Sequence, residues 1–243
     1  MIARENVRVD GAARVRRGAH RAIRRARCTL PGARRTARRA RRAGFSLIEL
    51  MAVLVILGLL MVVLLPRLTG ASERARERLT RAYLVQISAA IGEYENHFGD
   101  YPPSQFLEKW GVPPNGTNLG AEALVIALWS PDWDGVGLAE DKLVNLDGDD
   151  AKKTLTKFPR AALFELADEW KNPIAYFHRR DYGRRDSYVV EDPDTGEQRE
   201  SIVGAVTNPT TQRYHNPQSF QLISAGADGQ FGTDDDITNF ETQ

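Results

Sequence analysis

Between Phe45 and Leu65 the chain runs for 21 residues in which only Ser46 and Glu49 are strongly polar. As a helix, rising 1.5 Å per residue, such a run reaches about 30 Å, the hydrocarbon thickness of a bilayer. A carboxylate near its start is expensive, because in lipid it must be neutralised or compensated. A segment that only anchored the chain would have no use for Glu49. The residue therefore asks for a partner of opposite charge.

The near-neutral total, 33 basic against 32 acidic side chains, hides two opposite halves. Residues 1–43 carry 15 Arg and no Lys against Glu5 and Asp10, a net charge of +13. That leaves 18 basic and 30 acidic side chains after position 43, a net of −12. An arginine block beside an apolar run holds the N-terminus in the cytoplasm by the positive-inside rule. Arginine-rich segments also bind nucleic acid, but this one has no aromatic interleaving, so nucleic acid is not an expected partner.

Gly44-Phe45-Ser46-Leu47-Ile48-Glu49-Leu50, with its basic flank and apolar continuation, resembles the cleavage and methylation site of type IV pilins and type II secretion pseudopilins. The resemblance implies that a membrane prepilin peptidase cuts between Gly44 and Phe45 on the cytoplasmic side and methylates the new amine of Phe45. Such an amine is mostly cationic at neutral pH. In a filament, the amine of one subunit would meet Glu49 of its neighbour and set subunit register, compensating a charge buried in an apolar bundle. Pro66 lies where the family often kinks this helix. Residues 1–44 would be a leader that is removed. A plain signal anchor and a cleaved secretory signal are the competing readings, the second disfavoured by the length of the apolar run.

From Pro66 to Phe98, Leu68, Ala71, Ala75, Leu79, Ala82, Tyr83, Ile87, Ala90, Ile91, Tyr94 and Phe98 recur at three- and four-residue spacing, as expected of an amphipathic helix continuing residues 45–65. Pro66 removes one backbone donor and is expected to bend it. A coiled-coil stalk is disfavoured because the stripe keeps no 3.5-residue period. Gly99-Asp100-Tyr101-Pro102-Pro103 ends the helix. Asn118 to Leu128 reads as a short helix packing Leu124, Ala127 and Leu128.

Residues 131–158 are acidic and turn-rich. Asp147-Gly148-Asp149-Asp150 lacks the EF-hand spacing and its closing Glu, so a solvated loop is the expectation. Pro159 to Ala167 reads as another short helix with Pro in its first turn. Asp168-Glu169-Trp170-Lys171-Asn172-Pro173-Ile174-Ala175-Tyr176 resembles the stretch that leads into the family's sheet. Ile174–Arg179, Asp186–Val190 and Ser219–Ser224 read as strands, with a long polar loop from Glu191 to Pro217.

The C-terminal stretch Ile223-Ser224-Ala225-Gly226-Ala227-Asp228-Gly229, followed by Asp234-Asp235-Asp236-Ile237, resembles the calcium loop of major pseudopilins. Four carboxylates within nine residues repel one another unless a hard cation gathers them. The resemblance makes Asp228 and Asp236 the first carboxylate ligands to Ca²⁺ and Asp234 the third, with carbonyls of Ile223 and Ala225 completing the shell. Asp235 is expected to face solvent.

The only cysteine, Cys28, lies in the leader, so the mature chain would have no disulfide. His20, His97, His178 and His215 show no zinc spacing, and no GxSxG, HExxH or P-loop motif occurs. Catalysis is not expected. The sequence thus points to an α+β, pilin-like fold. Residues 45–65 would be the membrane and filament-core helix, and 66–98 its amphipathic half. Residues 99–243 would form a periplasmic domain built on a small antiparallel sheet, with a calcium loop at 222–237. The resemblance implies a subunit of a type II secretion pseudopilus, anchored in the inner membrane by one span. It would polymerise with its own copies and with minor pseudopilins on an inner-membrane platform, having left membrane lipid. A type IV pilin or minor pilin and a single-span envelope protein with a binding ectodomain are the alternatives.

Overall fold

The computed structural model describes residues 45–114, 116–133, 137–193 and 195–240, with backbone alone for 63–69. The leader, Gly44 included, lies outside the described residues. The chain divides after Leu50 into two units. In the first, the described residues Phe45 to Leu50 are all exposed and contain the start of helix α1 (Leu47–Phe98). α1 passes through Pro66 as one helix, so the proline does not end it. Among the described residues no helix is long and apolar enough to cross a membrane. The described side chains of the apolar run stop at Val62, short of the Leu65 at which the run ends in the sequence.

The second unit holds the remainder of α1 and the folded domain. On α1 the buried residues are Thr80, Tyr83, Leu84, Ile87, Ala90 and Ile91. Their three- and four-residue spacing is the stripe expected from the sequence. This face packs with Leu124, Val125 and Leu128 of helix α2 (Leu119–Leu128), with Trp129 and Ile174, and with Tyr176, Leu222 and Ile237 from the sheet. Each fully buried Leu or Ile in such a core stabilises by about 1.5–3 kcal/mol.

α2 is apolar almost all round and buried from Gly120 to Leu128. At Gly120 a Cβ would collide with the Tyr176 carbonyl and crowd the Tyr188 hydroxyl. Only glycine lets the helix lie this close to the sheet. That sheet is antiparallel and ordered β3 (Ala175–His178), β6 (Phe220–Ser224), β7 (Ile237–Thr238), with Ala175 opposite Ile223 and Ile223 opposite Thr238. A separate hairpin pairs β4 (Arg185–Glu191) with β5 (Gln198–Gly204). A third pair joins β1 (Leu143–Val144) to β2 (Glu165–Leu166).

Three expectations are corrected. Residues 159–167 form no helix. Ala151 N donates to the Ala161 carbonyl, Leu163 N donates to Asp149, and Glu165–Leu166 pair as β2. Partners across the loop win over local helical bonds. The stretch from Glu191 to Pro217 is not one long loop, because β5 lies within it and pairs with β4 along its whole length. The segment 131–158 is not simply solvated: it supplies β1, and Asp147 turns its carboxylate inward.

Candidate functional site

At the N-terminal end, Ser46 and Glu49 hold each other. Glu49 N donates to Ser46 Oγ at 3.2 Å, and Ser46 N donates to Glu49 Oε2 at 3.5 Å. This reciprocal pair is a capping box, which satisfies amides that the first turn of a helix leaves without partners. The spacing Ser46-x-x-Glu49 was visible in the sequence. The sequence reading singled out Glu49 and did not use the part Ser46 plays in this cap.

The Asp168–Tyr176 segment is a set of side-chain-to-backbone clamps. Asp168 Oδ1 accepts from Trp170 N at 2.9 Å and from Asn172 N at 3.0 Å, while Oδ2 accepts from Ser224 Oγ at 2.6 Å. Burial raises its carboxyl to about 6 against those hydrogen bonds. Asn172 in turn accepts from Glu191 N at 2.7 Å, fixing the end of β4. Two bonds tie this segment to α1: Glu169 N donates to Thr80 Oγ1 at 3.2 Å, and Trp170 Nε1 donates to Glu73 Oε2 at 2.9 Å.

The C-terminal loop continues directly from Ser224. Ile223 and Ala225 are buried. Asp236 is half-buried; burial raises its carboxyl to about 6, and the charges of Asp235 and Asp228 push the same way. Its Oδ2 accepts from Gly232 N at 2.8 Å, while Oδ1 is buried and meets no donor. Asp228 Oδ1 accepts from Gln230 N, and Asp234 is exposed. Asp228, Asp234 and Asp236 are not gathered as a set within 4.8 Å of one another.

Asp235 does not face solvent as expected. Its Oδ2 accepts from Ala227 N at 2.7 Å and Asp228 N at 3.0 Å, and its Oδ1 accepts from Thr233 Oγ1 at 2.6 Å. Burial works against the charge, but these bonds outweigh it and hold the carboxyl below its ordinary range. The turn needs Gly226, at φ +65°, where a Cβ would run into the Asp235 backbone.

Comparison with known proteins bears on the same N-terminal stretch. The prokaryotic N-terminal methylation motif matches residues 39–65. Type II secretion system core protein G of Escherichia coli K12 is 29% identical over 197 residues, covering 81% of this chain and 90% of that protein. The chain is similar to type II secretion core protein G along most of its length. The Pseudomonas aeruginosa core protein G is 28% identical over 152 residues, covering 63% of this chain and 84% of that protein. The Klebsiella michiganensis one is 27% identical over 103 residues, or 40% and 72%. No solved structure matches the chain.

One further cluster escaped the sequence reading. Glu122 of α2, Asp147 and Glu165 of β2 each place a carboxylate oxygen within 4.8 Å of the others. Glu122 and Glu165 are fully buried. Burial first, and the Asp147 charge second, push the Glu165 carboxyl up to about 8, although Asn118 and Leu146 N hydrogen-bond to it. The available signal was Glu122 itself, one charge in an otherwise apolar helix.

Proposed function

We propose that this chain is a structural subunit of a type II secretion pseudopilus, polymerising through its N-terminal helix to drive protein export across the outer membrane. The observation that carries this reading is the methylation motif at 39–65 joined to likeness with core protein G along most of the chain. Residues 1–44 are the leader, removed by a prepilin peptidase between Gly44 and Phe45, whose amine is then methylated. Residues 45–65 hold the subunit in the inner membrane lipid, N-terminus cytoplasmic, until it joins its copies and the minor pseudopilins on the secretion platform. Pro66 removes one donor and bends α1 between that half and residues 66–98. The domain from 99 onward is periplasmic.

In the filament, the Phe45 amine of one subunit faces Glu49 of the next. A charge pair in an apolar surround is strongly orienting, since losing either partner leaves the other uncompensated. The C-terminal loop takes Ca²⁺ through Asp228, Asp234 and Asp236 with carbonyls of Ile223 and Ala225. Support comes from Asp236, whose Oδ1 is buried without a donor and whose charge is disfavoured by burial first and by its acidic neighbours second. Calcium supplies the positive charge that these oxygens lack. Asp235, already engaged by two amides and a hydroxyl, frames the loop and does not ligate.

The test is the mass of the mature chain from cells holding a prepilin peptidase, together with electron microscopy of sheared filaments. Cleavage after Gly44, a methyl group on Phe45 and filaments containing the chain are expected. Gly44→Leu is expected to leave full-length protein in the membrane, because only glycine offers the peptidase an unhindered backbone there. Normal processing of Gly44→Leu, or an uncut wild-type chain, overturns the reading.

A further inference from the structure

The segment 131–158 contributes one side chain that the pseudopilus reading leaves without work. Both carboxylate oxygens of Asp147 are closed off from solvent and meet no donor in hydrogen-bonding geometry. Burial raises its pKa, although the amides of Asp147 and Asp149 and the Glu165 side chain lie close enough to favour its charge. The side chain is aimed at Glu122 and Glu165, with one oxygen of each of the three within 4.8 Å of the others. Among the described residues no Lys, Arg or His forms an ion pair with Asp147 or Glu165.

We infer that Glu122, Asp147 and Glu165 form a binding site for a hard divalent cation of the Ca²⁺ class, distinct from the C-terminal loop. Oxygen ligands at 2.3–2.6 Å from such an ion lie about 3–5 Å from one another, which the mutual approach within 4.8 Å here allows. The donor set is all carboxylate, which suits Ca²⁺ and not a soft metal. Three carboxylates gathered in one desolvated place cannot all carry their charge without a cation, and a divalent ion removes that conflict.

The surroundings hold the ligands in place. Asn118, fully buried, donates from Nδ2 to Glu165 Oε1 at 3.0 Å and accepts from Val189 N at 2.9 Å. Leu146 N donates to Glu165 Oε2 at 3.3 Å. Asn145 brackets the loop by accepting from Asp149 N and donating to the Asp149 carbonyl. Each Glu165 oxygen carries one donor, and a carboxylate oxygen can still take a cation on its other lone pair. The ion would staple the 131–158 segment to α2 and β2, three pieces distant in sequence.

The experiment uses the full chain in detergent, stripped with chelator and then dialysed against Ca²⁺, with bound ion counted per chain. Wild type is compared with Asp147→Asn, Glu122→Gln and the double variant Asp228→Asn/Asp236→Asn. Asp147→Asn and Glu122→Gln are each expected to bind one ion fewer than wild type. In chelator they should melt at least as high as wild type, since the amide ends the repulsion. The loop double variant is expected to keep the cluster's ion. Two near-isosteric cluster variants are used so that misfolding of one leaves the other to decide. Equal ion counts in wild type and both cluster variants overturn the inference, and so does a folded loop variant that binds no ion.

Discussion

Ser46 and Glu49 cap each other across the first turn of α1, the amide of each bonding to the side chain of the other. The same Glu49 is the residue proposed to meet the Phe45 amine of a neighbouring subunit. Its side chain thus bends back toward the chain end at which that amine would form. Local capping and subunit pairing draw on one carboxylate, and they differ in what they need. Capping needs an acceptor, whereas pairing needs a charge.

Glu49→Gln separates the two. Glutamine serves in a capping box almost as well as glutamate, so the helix start is kept while the charge is lost. Normal cleavage and methylation with at least a tenfold loss of sheared filament is the expected result. Ser46→Ala keeps the charge, removes one cap bond at a cost of about 1 kcal/mol, and is expected to assemble measurably better than Glu49→Gln. Wild-type filament yield from Glu49→Gln would remove the charge pair from the assembly reading.

Parts of this architecture were legible because their signals are local. The motif at Gly44–Leu50, the stripe from Tyr83 to Ile91 and the apolar run of α2 each declare themselves within a few residues. The strands at Ala175–His178 and Phe220–Ser224 are also rich in apolar side chains over a short run. What stayed hidden depends on distant partners. β5 begins Gln198-Arg199-Glu200-Ser201, with no alternation to mark it, and exists through its pairing with β4. Residues 159–167 have helical chemistry but bond to residues 149–151 and 143–144 instead. Asp147 read as one acid among many in a turn-rich stretch. Only the fold brings it to Glu122 and Glu165.

The C-terminal loop gives a prediction that the cluster at Glu122 does not share. A ligand at one hundred times its dissociation constant stabilises the folded state by about 2.7 kcal/mol. In an Asp147→Asn background, which isolates the loop, added Ca²⁺ should raise the melting temperature by several degrees. Asp236→Asn in the same background should abolish most of that rise. Differential scanning fluorimetry with and without chelator reads both, and an unchanged curve in the Asp147→Asn background would count against calcium in the loop.

Trp170 fastens the sheet-entry segment to α1 through Glu73 Oε2, and the fastening has two separable parts. Trp170→Phe keeps most of the apolar area but loses the indole donor, an expected cost of about 1–1.5 kcal/mol. Trp170→Ala loses the area too, at about 3–4 kcal/mol. Chemical denaturation of the two variants checks the ratio. Equal losses would show that packing contributes little and that the hydrogen bond carries the contact.

Asp168 makes stability depend on pH in a direction opposite to the usual carboxylate. Its folded pKa is about 6 against an ordinary 3.8, because burial disfavours the charge more than Ser224, Asn172 and Trp170 favour it. The fold therefore prefers the protonated side chain. The resulting stabilisation is full below about pH 3.8 and is lost as pH rises through 6. A shift of this size corresponds to about 3 kcal/mol between the two limits. Asp168→Asn keeps an acceptor for the two amides and can donate to Ser224 Oγ, yet it cannot titrate. The difference in unfolding free energy, wild type minus variant, should fall between pH 4 and pH 6.5 and be flat above pH 7. A difference that instead rises over that interval would mean that the three hydrogen bonds outweigh burial, and that Asp168 is held in its charged form.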